Sequence, residues 1–280
     1  MNNYYPKTAG LLCLTALLWL GACKKSGNDT PDNSGSEQLA YKAVGIVKNA
    51  DGSPVSGAKV RAVNPVLLDA SADVFTDAKG AYITPKLDLG GWYLYAWKEQ
   101  EYEGYTYHLR VAPEDDDYNP FSIDKGGKVK HFKLRLTGRI KDIPKSENMP
   151  DQGYYGGTLQ FVNLGLEAFK KMPVNTPVKI ILTPLPGSKL LDGSAPAVVE
   201  KTFTIAEGED NYWITDIPQC KYIITARSGN KVIRLTDHRD IYGEEPYKNS
   251  LSWMFKPAAS ASYAGGLKGN SDKPFYMDLE

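Results

Sequence analysis

Apolar and polar residues alternate with a period of two in short runs along most of the chain. In Val129–Leu136, for example, Phe132 and Leu134 share one face, whereas Lys133 and Arg135 share the other. This alternation is typical of strands with one buried face. In the first half of the chain it predicts strands at Tyr41–Lys48, Ala58–Asn64, Val74–Thr76, Ala81–Thr84, Trp92–Trp97, Tyr105–Val111 and Val129–Leu136.

The same pattern continues in the second half of the chain. It predicts strands at Val178–Thr183, Val199–Ile205, Tyr212–Thr215, Tyr222–Ala226, Lys231–Leu235, Leu251–Phe255 and Phe275–Leu279, and one short helix at Gly165–Met172. Many short strands with frequent turns and little helix indicate β-sandwiches. The sequence therefore predicts an all-β protein with two Greek-key/immunoglobulin-like β-sandwich domains in tandem.

A weak internal repeat relates the two halves. The residues Tyr82-Ile83-Thr84, Leu89, Tyr93 and Ala96 are echoed in the second half by Tyr212-Trp213-Ile214-Thr215, Ile217, Tyr222 and Ala226. In both stretches a strand enters a tight turn and the chain returns through a Tyr. We expect the second sandwich to have a topology related to that of the first. Convergent hairpin sequences are the alternative.

Turn residues in the first half carry a family resemblance. Asp51-Gly52 is a strong tight-turn signal, and Gly80 is expected to take a positive φ. The matching positions are Gly45, then Asp51-Gly52-x-Pro54-Val55-x-Gly57-Ala58-x-Val60, then Thr76-Asp77-x-x-Gly80-x-Tyr82. They resemble the carboxypeptidase regulatory-like (transthyretin-like) domain over about Tyr41 to Leu136. The resemblance implies a Greek-key sandwich that has no catalytic residues of its own.

The first residues of the chain have the pattern of a secretion signal. Lys7 gives a positive start, and Ala9 to Leu20 form an apolar run too short to span a hydrocarbon core of ~30 Å. Leu20-Gly21-Ala22-Cys23 resembles the lipobox of bacterial lipoproteins, and the style of the chain is similar to Bacteroidetes surface lipoproteins. The resemblance implies lipidation of Cys23 and therefore a membrane lipid anchor. An ordinary signal peptide or a short membrane anchor is the alternative.

Composition indicates where the tether and the linker between the domains lie. Residues 24–38 contain no large apolar residue, which predicts a flexible tether, and Pro144 and Pro150 mark a connection between the halves. The predicted organisation is a lipoprotein signal peptide at 1–22, the lipidated cysteine and tether at 23–39, the carboxypeptidase regulatory-like sandwich at 40–138, a linker at 139–153 and the second sandwich at 154–280. The expected location is the cell envelope, at the outer membrane, on its periplasmic face or at the cell surface.

Charge and cysteine content narrow the class of function. The formal net charge is +0, so the chain lacks the overall basic field of a nucleic-acid binder. Of the three cysteines, Cys13 and Cys23 belong to the signal and lipobox, which leaves Cys220 alone. An intramolecular disulfide and a zinc site of several thiolates are therefore excluded in the folded part. Cys220 is interpreted as a small buried hydrophobe.

The sequence contains no recognisable catalytic or metal-binding motif. His108, His131 and His238 lack zinc-ligand spacing, and no nucleophile elbow, phosphate-binding loop or dinucleotide fingerprint occurs. The acidic run Glu114–Asp117 is interpreted as a solvated loop, with a calcium site as the alternative. We therefore expect no enzyme activity, no catalytic residue, no metal and no cofactor.

Aromatic side chains are the best candidates for binding. The chain has 18 Tyr and 5 Trp, and one predicted strand places Tyr93, Tyr95 and Trp97 on a common face. Tyr105 and Tyr107 repeat the pattern nearby. Together these side chains are predicted to form an aromatic face that stacks on sugar rings. The alternative is that they bury into the core or into a contact between the domains.

These features predict a non-catalytic binding or scaffolding protein of the cell envelope, with a polysaccharide or another envelope protein as its partner. Two alternatives stay open. One is a structural or adhesive spacer. The other is a hydrolase whose carboxylate pair cannot be recognised from sequence spacing.

Overall fold

The computed structural model describes residues 39–67, 70–145, 153–164, 171–237, 247–257, 269–270 and 275–279. The signal peptide, Cys23, the tether up to residue 38 and His238 lie outside these residues. So does most of the short helix expected at Gly165–Met172, whose last two residues are not helical. Among the described residues, no helix has the length and apolar character needed to cross a membrane.

The first sheet is built from nine strands of the described chain. They are β1 (Ala43–Lys48), β2 (Lys59–Val63), β3 (Ser71–Phe75), β4 (Ala81–Ile83), β5 (Gly91–Tyr102), β6 (Tyr105–Pro113), β7 (Phe121–Ser122), β8 (Lys128–Val129) and β9 (Phe132–Lys133). Their order is β3-β2-β5-β6-β9-β1-β4, with β7 beside β5 and β8 beside β1. Buried residues of β2, β5 and β6 pack against those of β1, β4 and β9 in one core, so the strands form two facing layers.

The second sheet is built from ten strands of the described chain. They are β10 (Gly157–Val162), β11 (Pro177–Pro184), β12 (Val199–Thr204), β13 (Asn211–Ile217), β14 (Lys221–Ser228), β15 (Lys231–Thr236), β16 (Leu251–Met254), β17 (Lys256–Pro257), β18 (Gly269–Asn270) and β19 (Phe275–Leu279). Their order is β12-β11-β14-β15-β19-β10-β18-β17, with β13 beside β10 and β16 beside β14. A second core lies between them. The chain is therefore all-β, with two β domains in tandem.

The two sheets repeat one topology. The antiparallel pairs β1–β4, β2–β3, β2–β5, β5–β6, β5–β7 and β6–β9 correspond to β10–β13, β11–β12, β11–β14, β14–β15, β14–β16 and β15–β19. The parallel pairs β1–β8 and β1–β9 correspond to β10–β18 and β10–β19. The related topology expected from the internal repeat is therefore confirmed.

Strand positions follow the alternating pattern closely, and β10 is the one described strand of more than two residues that the pattern misses. The turn residue Gly80 has φ 72°, as expected, and the Asp77 carboxylate accepts hydrogen bonds from the amides of Lys79 and Ala81 at 2.8 and 2.9 Å. The sequence pattern does not predict β10, because five of its six residues are buried and no alternation marks it. A strand covered on both faces has no polar face to reveal its period.

The β5–β6 hairpin is longer than the alternating pattern predicts and reaches the second domain. Strand β5 continues through polar residues to Tyr102, five residues beyond the predicted end at Trp97. Near the hairpin tip, the Glu103 carboxylate pairs with the Lys221 ammonium group at 2.5 Å. The buried side chain of Leu191, from the second half of the chain, lies in the core of the first domain. The two domains therefore share an interface at this end of the first sandwich.

Candidate ligand-binding groove

The register of the β5–β6 hairpin separates the predicted aromatic face into two. Trp97 is opposite Arg110, and Gln100 is opposite Tyr107. Directly opposed residues of an antiparallel pair point to the same face, and successive residues alternate between faces. Tyr93, Tyr95 and Trp97 therefore lie on the outer face, whereas Tyr105 and Tyr107 lie on the core face. The prediction of one common face was wrong for these last two residues.

Tyr107 and Tyr105 belong to the contact between the domains. The Tyr107 side chain is 1% exposed, and its hydroxyl donates a hydrogen bond to the carbonyl oxygen of Phe255 in the second domain. The Lys256 ammonium group lies 5.8 Å from the centre of the Tyr105 ring. This placement corresponds to the alternative considered for the aromatic residues, burial in a contact between domains.

The outer-face rings form a ladder along β5. The Tyr93 and Tyr95 rings are stacked with their centres 6.0 Å apart, and the Trp97 ring follows at 6.5 Å with a tilt of 47°. The Arg110 guanidinium lies 5.1 Å from the centre of the Tyr95 ring and pairs with Asp142 of the predicted linker at 2.5 Å. A cation over a ring face is attracted by the ring quadrupole. Arg110, itself paired with Asp142, therefore packs on the Tyr95 ring at the middle of the ladder. Trp97 is the last ring of the ladder in the direction of the hairpin tip.

A groove of about 420 Å³ opens on this outer face around Trp97. Its walls come from β2, β3, β5, β6 and the turn before β2, and are formed by Gly57, Lys59, Arg61, Phe75, Trp97, Glu99 and His108. Trp97 is 7% exposed and forms a wall, whereas Phe75 is 66% exposed and stands at the side. A volume of this size lies within the range of small-molecule binding sites.

Charged side chains line the groove in pairs. The Asp73 carboxylate, two residues before Phe75 on β3 and beside the groove, binds the lining residue Arg61 and also lies 2.9 Å from the Lys59 ammonium group. Hydrogen bonds from Arg61 and then Lys59 lower the pKa of Asp73 from 3.8 to about 2. On the opposite wall, His108 Nδ1 lies 3.4 Å from the Glu99 carboxylate. The groove therefore combines two apolar ring surfaces with donors and acceptors of both charges.

Only Trp97 of the groove residues was predicted from the sequence. The charged residues Lys59, Arg61 and Glu99 have the pattern of ordinary solvent-facing strand positions, and Phe75 has that of a strand end. A signal was present in the alternation, since these residues all occupy the polar phase of their strands. It could not be used without the pairing of the strands.

The other candidate residues are accounted for by structural contacts. Cys220 is buried, and burial raises the pKa of its thiol, which fits the interpretation as a small hydrophobe. His131 accepts a hydrogen bond from the Ile46 amide at 3.1 Å. In the acidic run, Glu114 binds Lys48 at 3.2 Å, and Asp116 binds Arg135 at 3.0 Å. Across the described residues, no three His, Cys, Asp or Glu side chains are grouped so as to hold a metal ion.

Comparison with known proteins gives distant structural likenesses. No protein-family model matches the chain, and no curated protein matches it. Fervidolysin from Fervidobacterium pennivorans, a keratinolytic enzyme related to subtilisin, is 9% identical with a TM-score of 0.27, over 70% of this chain and 26% of its own. A streptococcal ancillary pilin is 11% identical with a TM-score of 0.25, over 84% of this chain and 63% of its own.

A DUF3823 family protein from Bacteroides uniformis is also similar. It is 10% identical with a TM-score of 0.23, over 77% of this chain and 99% of its own. The chain spans about a quarter of the length of fervidolysin and less than two thirds of the length of the pilin. These likenesses concern β architecture and assign no function.

Proposed function

We propose that this protein is a lipid-anchored, non-catalytic binding module of the bacterial cell envelope, and that its ligand, a polysaccharide, occupies the groove beside Trp97. The lipid anchor follows from the lipobox resemblance at Cys23. The binding role follows from the outer face of the first domain.

The observation that carries the binding role is a difference between two domains of the same topology. The strand registers make Lys59, Arg61, Phe75 and Trp97 equivalent to Lys179, Ile181, Thr202 and Arg227 of the second domain. The second domain thus forms the same sheet without an aromatic ring at either ring position. Since the fold does not require Phe75 and Trp97 there, we infer that they serve recognition.

A sugar chain suits this combination of groups. The C–H face of a pyranose is apolar and packs on an aromatic ring, while its hydroxyls need both donors and acceptors. Phe75 supplies an exposed ring surface, and Trp97, which is largely buried, supplies apolar surface at the wall. Lys59, Arg61 and Glu99 supply charged donors and acceptors at the walls.

Proton-transfer catalysis is disfavoured at the carboxyl group beside the groove. A general acid at neutral pH needs a pKa raised toward 7, whereas the cations around Asp73 hold its pKa at about 2. The other carboxyl groups with a resolved change, Asp51, Asp116 and Asp117, also have lowered pKa values. Asp73 is therefore unsuited to act as a general acid at neutral pH.

The groove is tested by affinity electrophoresis and calorimetry with a panel of polysaccharides. Phe75→Ala should weaken binding about tenfold or more, because it removes a largely exposed ring that contributes more to recognition than to the core. Val198→Ala, an exposed position of the second domain, is the matched control and should bind as the wild type does. If wild-type protein bound none of the polysaccharides, or if Phe75→Ala bound equally well, the groove assignment would be wrong.

The anchor is tested separately by labelling cells with radioactive palmitate. Cys23→Ser should abolish labelling and release or mislocalise the protein, because the thioether has no sulfur on which to form. Cys13→Ser, in the apolar run of the same leader, is the control and should stay labelled. Equal labelling of the wild type and Cys23→Ser would remove the anchor from the proposal.

A structural spacer is the second candidate function, and the interdomain contact favours it. The Tyr107–Phe255 hydrogen bond and the Glu103–Lys221 pair tie the hairpin of one domain to the next. A contact of this kind between the domains suits a structural spacer as well as a binding module. If the Phe75→Ala protein no longer bound polysaccharide but cells that carry it behaved as wild-type cells do, the spacer function would be favoured.

A further inference from the structure

The described chain begins at one end of the first sandwich, which we call the N-terminal end and define as residues 39–44, 64–67, 83–90 and 122–129. Backbone hydrogen bonds tie the segments 39–44, 83–90 and 122–129 together, and the Asn64 side chain lies beside Gly90. The Tyr41 amide donates to the Asp124 carbonyl oxygen at 2.8 Å, and the Leu87 amide donates to the Tyr41 carbonyl oxygen at 2.8 Å. The Lys128 amide donates to the Lys42 carbonyl oxygen at 2.9 Å. The exit point of the predicted tether is therefore part of this end.

Two loops of the N-terminal end carry exposed apolar tips. The Asn64 side chain accepts hydrogen bonds from the amides of Val66 and Leu67 at 2.9 and 3.1 Å, which orders the first loop. Val66 is 84% exposed, and Leu89, at the tip of the second loop, is 74% exposed. Neither side chain is needed to fill the core.

Further exposed apolar residues lie at this end, on the outer face of the layer formed by β1, β4 and β8. Val44 of β1 is directly opposite Ile83 of β4 and Val129 of β8, so the three side chains point to the same outer face. Ile83 and Val129 are both exposed. Exposed apolar residues that gather at one end of a domain mark an interaction surface.

Lysines accompany this apolar surface. Within the described segments of the N-terminal end, the charged side chains are Lys42, Lys86, Lys125 and Lys128 against Asp88 and Asp124. The Lys128 ammonium group lies 5.7 Å from the centre of the Phe121 ring. Apolar side chains bordered by lysines are typical of surfaces that meet an anionic bilayer, because the apolar groups enter the interface while the ammonium groups stay at the headgroups.

The contacts with the second domain at Glu103 and Tyr107 lie away from this end, towards the tip of the β5–β6 hairpin. Strand β5 runs from Gly91, next to the Leu89 loop, to Tyr102, near the contact with the second domain. At about 3.3 Å per residue, its two ends are roughly 36 Å apart. The N-terminal end is therefore unobstructed by the interdomain contact.

We propose that the N-terminal end of the first sandwich docks on a bilayer surface that contains anionic phospholipid headgroups, with Val66 and Leu89 entering the interface. The proposal rests on the lipid anchor of the proposed function. The predicted tether, residues 24–38, reaches at most roughly 50 Å when extended, so an anchored Cys23 keeps this end close to the bilayer. A tether of that length converts a weak surface affinity into frequent docking, since the second contact is intramolecular.

Docking at this end sets the orientation of the whole protein. The long axis of the β5–β6 hairpin then points away from the membrane, and the second domain is held at the distal side of the first. The groove beside Trp97 then lies on the side of the first domain, between the membrane and the second domain. The two-point attachment, by lipid and by protein surface, would replace free tumbling on a tether.

The first test uses the mature chain from residue 24 without lipid. This chain keeps every described strand pair and core residue, since all of them follow residue 38. It should sediment with vesicles of phosphatidylcholine and phosphatidylglycerol, less at high salt, and only weakly with phosphatidylcholine alone. Val66→Asp and Leu89→Asp should each lower the vesicle partition coefficient about tenfold or more.

Val198→Asp is the matched control, because it places the same charge at an exposed valine of the second domain. It should partition as the wild type does. Absence of vesicle binding by the wild type, or equal losses in all three variants, would overturn the proposal. A change in self-association by analytical ultracentrifugation, without a change in vesicle binding, would also overturn it by assigning the surface to a second copy.

The second test separates docking from anchoring. Lipidated protein is reconstituted in nanodiscs with an environment-sensitive fluorophore on a cysteine introduced at Leu89 or, as the control, at Val198. Docking predicts a blue-shifted emission, quenched by lipid-borne quenchers, at Leu89→Cys only. If the lipidated protein is retained in the nanodiscs but both labels report water, docking is refuted while the anchor stands.

Discussion

Tyr107 has its ring in the core of the first domain and its hydroxyl at the surface of the second. The Tyr107 hydroxyl therefore links the two domains directly, whereas the backbone joins them only through the predicted linker at 139–153. A hydroxyl in such a position acts on the interface, and the neighbouring Tyr105, which is partly exposed, offers a comparison within the same strand.

We expect Tyr107→Phe to lower the free energy of unfolding by about 1–3 kcal/mol, because the buried carbonyl oxygen of Phe255 loses its donor. Tyr105→Phe keeps the ring that faces Lys256 and should change stability by less than about 0.5 kcal/mol. Urea unfolding of both variants provides the measurement. Equal stability of Tyr107→Phe and wild type would mean that water replaces the hydroxyl.

Asp73 shows how the charged residues of the groove depend on one another. Its pKa is lowered to about 2 in the folded chain from 3.8, so between these values the unfolded chain binds more protons. The contribution of Asp73 to stability is therefore present above pH ~4 and lost as the pH falls through ~2. Since the pair is largely exposed, its size is on the order of 0.5–1 kcal/mol.

Asp73→Asn should flatten the dependence of unfolding free energy on pH between about 4 and 2. A carbon-detected NMR titration of the wild-type carboxyl group reads the pKa directly and should give a value well below 3.8. High salt should move that value upward, because the partners are solvent-accessible. A carboxyl group that titrates at its ordinary pKa would show that the ion pairs with Arg61 and Lys59 do not persist in solution.

Single elements show how closely the two domains correspond. In each, a buried alanine at the centre of the sheet is flanked by two aliphatic residues, Val60 and Val111 around Ala96, and Ile180 and Ile233 around Ala226. The repeat in the sequence matched Ala96 with Ala226 correctly. It matched Tyr93 with Tyr222, but the register makes Trp92 the equivalent of Tyr222, one residue away.

Strand β1 contains a glycine that the fold requires. A side chain at Gly45 would overlap the carbonyl oxygen of Lys130 and contact the Tyr82 ring, whose hydroxyl itself donates to that carbonyl at 2.7 Å. The backbone at Lys130 therefore leaves room only for a hydrogen atom in place of a side chain at Gly45. This explains why glycine stands in a strand whose other positions alternate ordinarily.

Gly45→Ala should destabilise the protein by about 3 kcal/mol or more, because backbone atoms rather than a flexible side chain must move. Gly91→Ala is the matched control at the start of β5, where nothing lies within 4 Å of the added carbon, and should be nearly neutral. Thermal unfolding of both variants measures the difference. A neutral Gly45→Ala would mean that the segment at Lys130 shifts easily.

The stabilities of the two domains are coupled through a turn in which two neighbouring leucines pack into different cores. Leu191 is buried in the core of the first domain, and Leu190 packs against the core of the second. Two adjacent residues thus connect the stabilities of two domains.

Leu191→Ala, although it lies in the second half of the chain, should increase amide hydrogen exchange in β2, β5 and β6 of the first domain. The loss of a buried leucine costs about 2–5 kcal/mol. Leu190→Ala should raise exchange in β11 and β14 instead. Increased exchange confined to the second domain in both variants would show that Leu191 does not stabilise the first domain.

Local pattern sufficed for most strands, because a period of two is set by the covalent geometry of each strand and needs no knowledge of its partners. The strands Lys59–Val63, Pro177–Pro184 and Lys221–Ser228 lie within two residues of their predicted bounds. The turns at Asp51-Gly52 and Gly80 could be predicted for the same reason, as each depends on a short stretch of chain.

The tertiary structure decided everything that depends on which strands meet. Strand β10 has no local signal, and the split of the aromatic residues between two faces follows from the Trp97–Arg110 register. The groove joins residues from four strands, with Lys59 and Trp97 brought side by side across 38 positions of sequence. Alternation tells which residues of a strand share a face, but only long-range pairing chooses the neighbours and so determines whether that face becomes core, interface or groove.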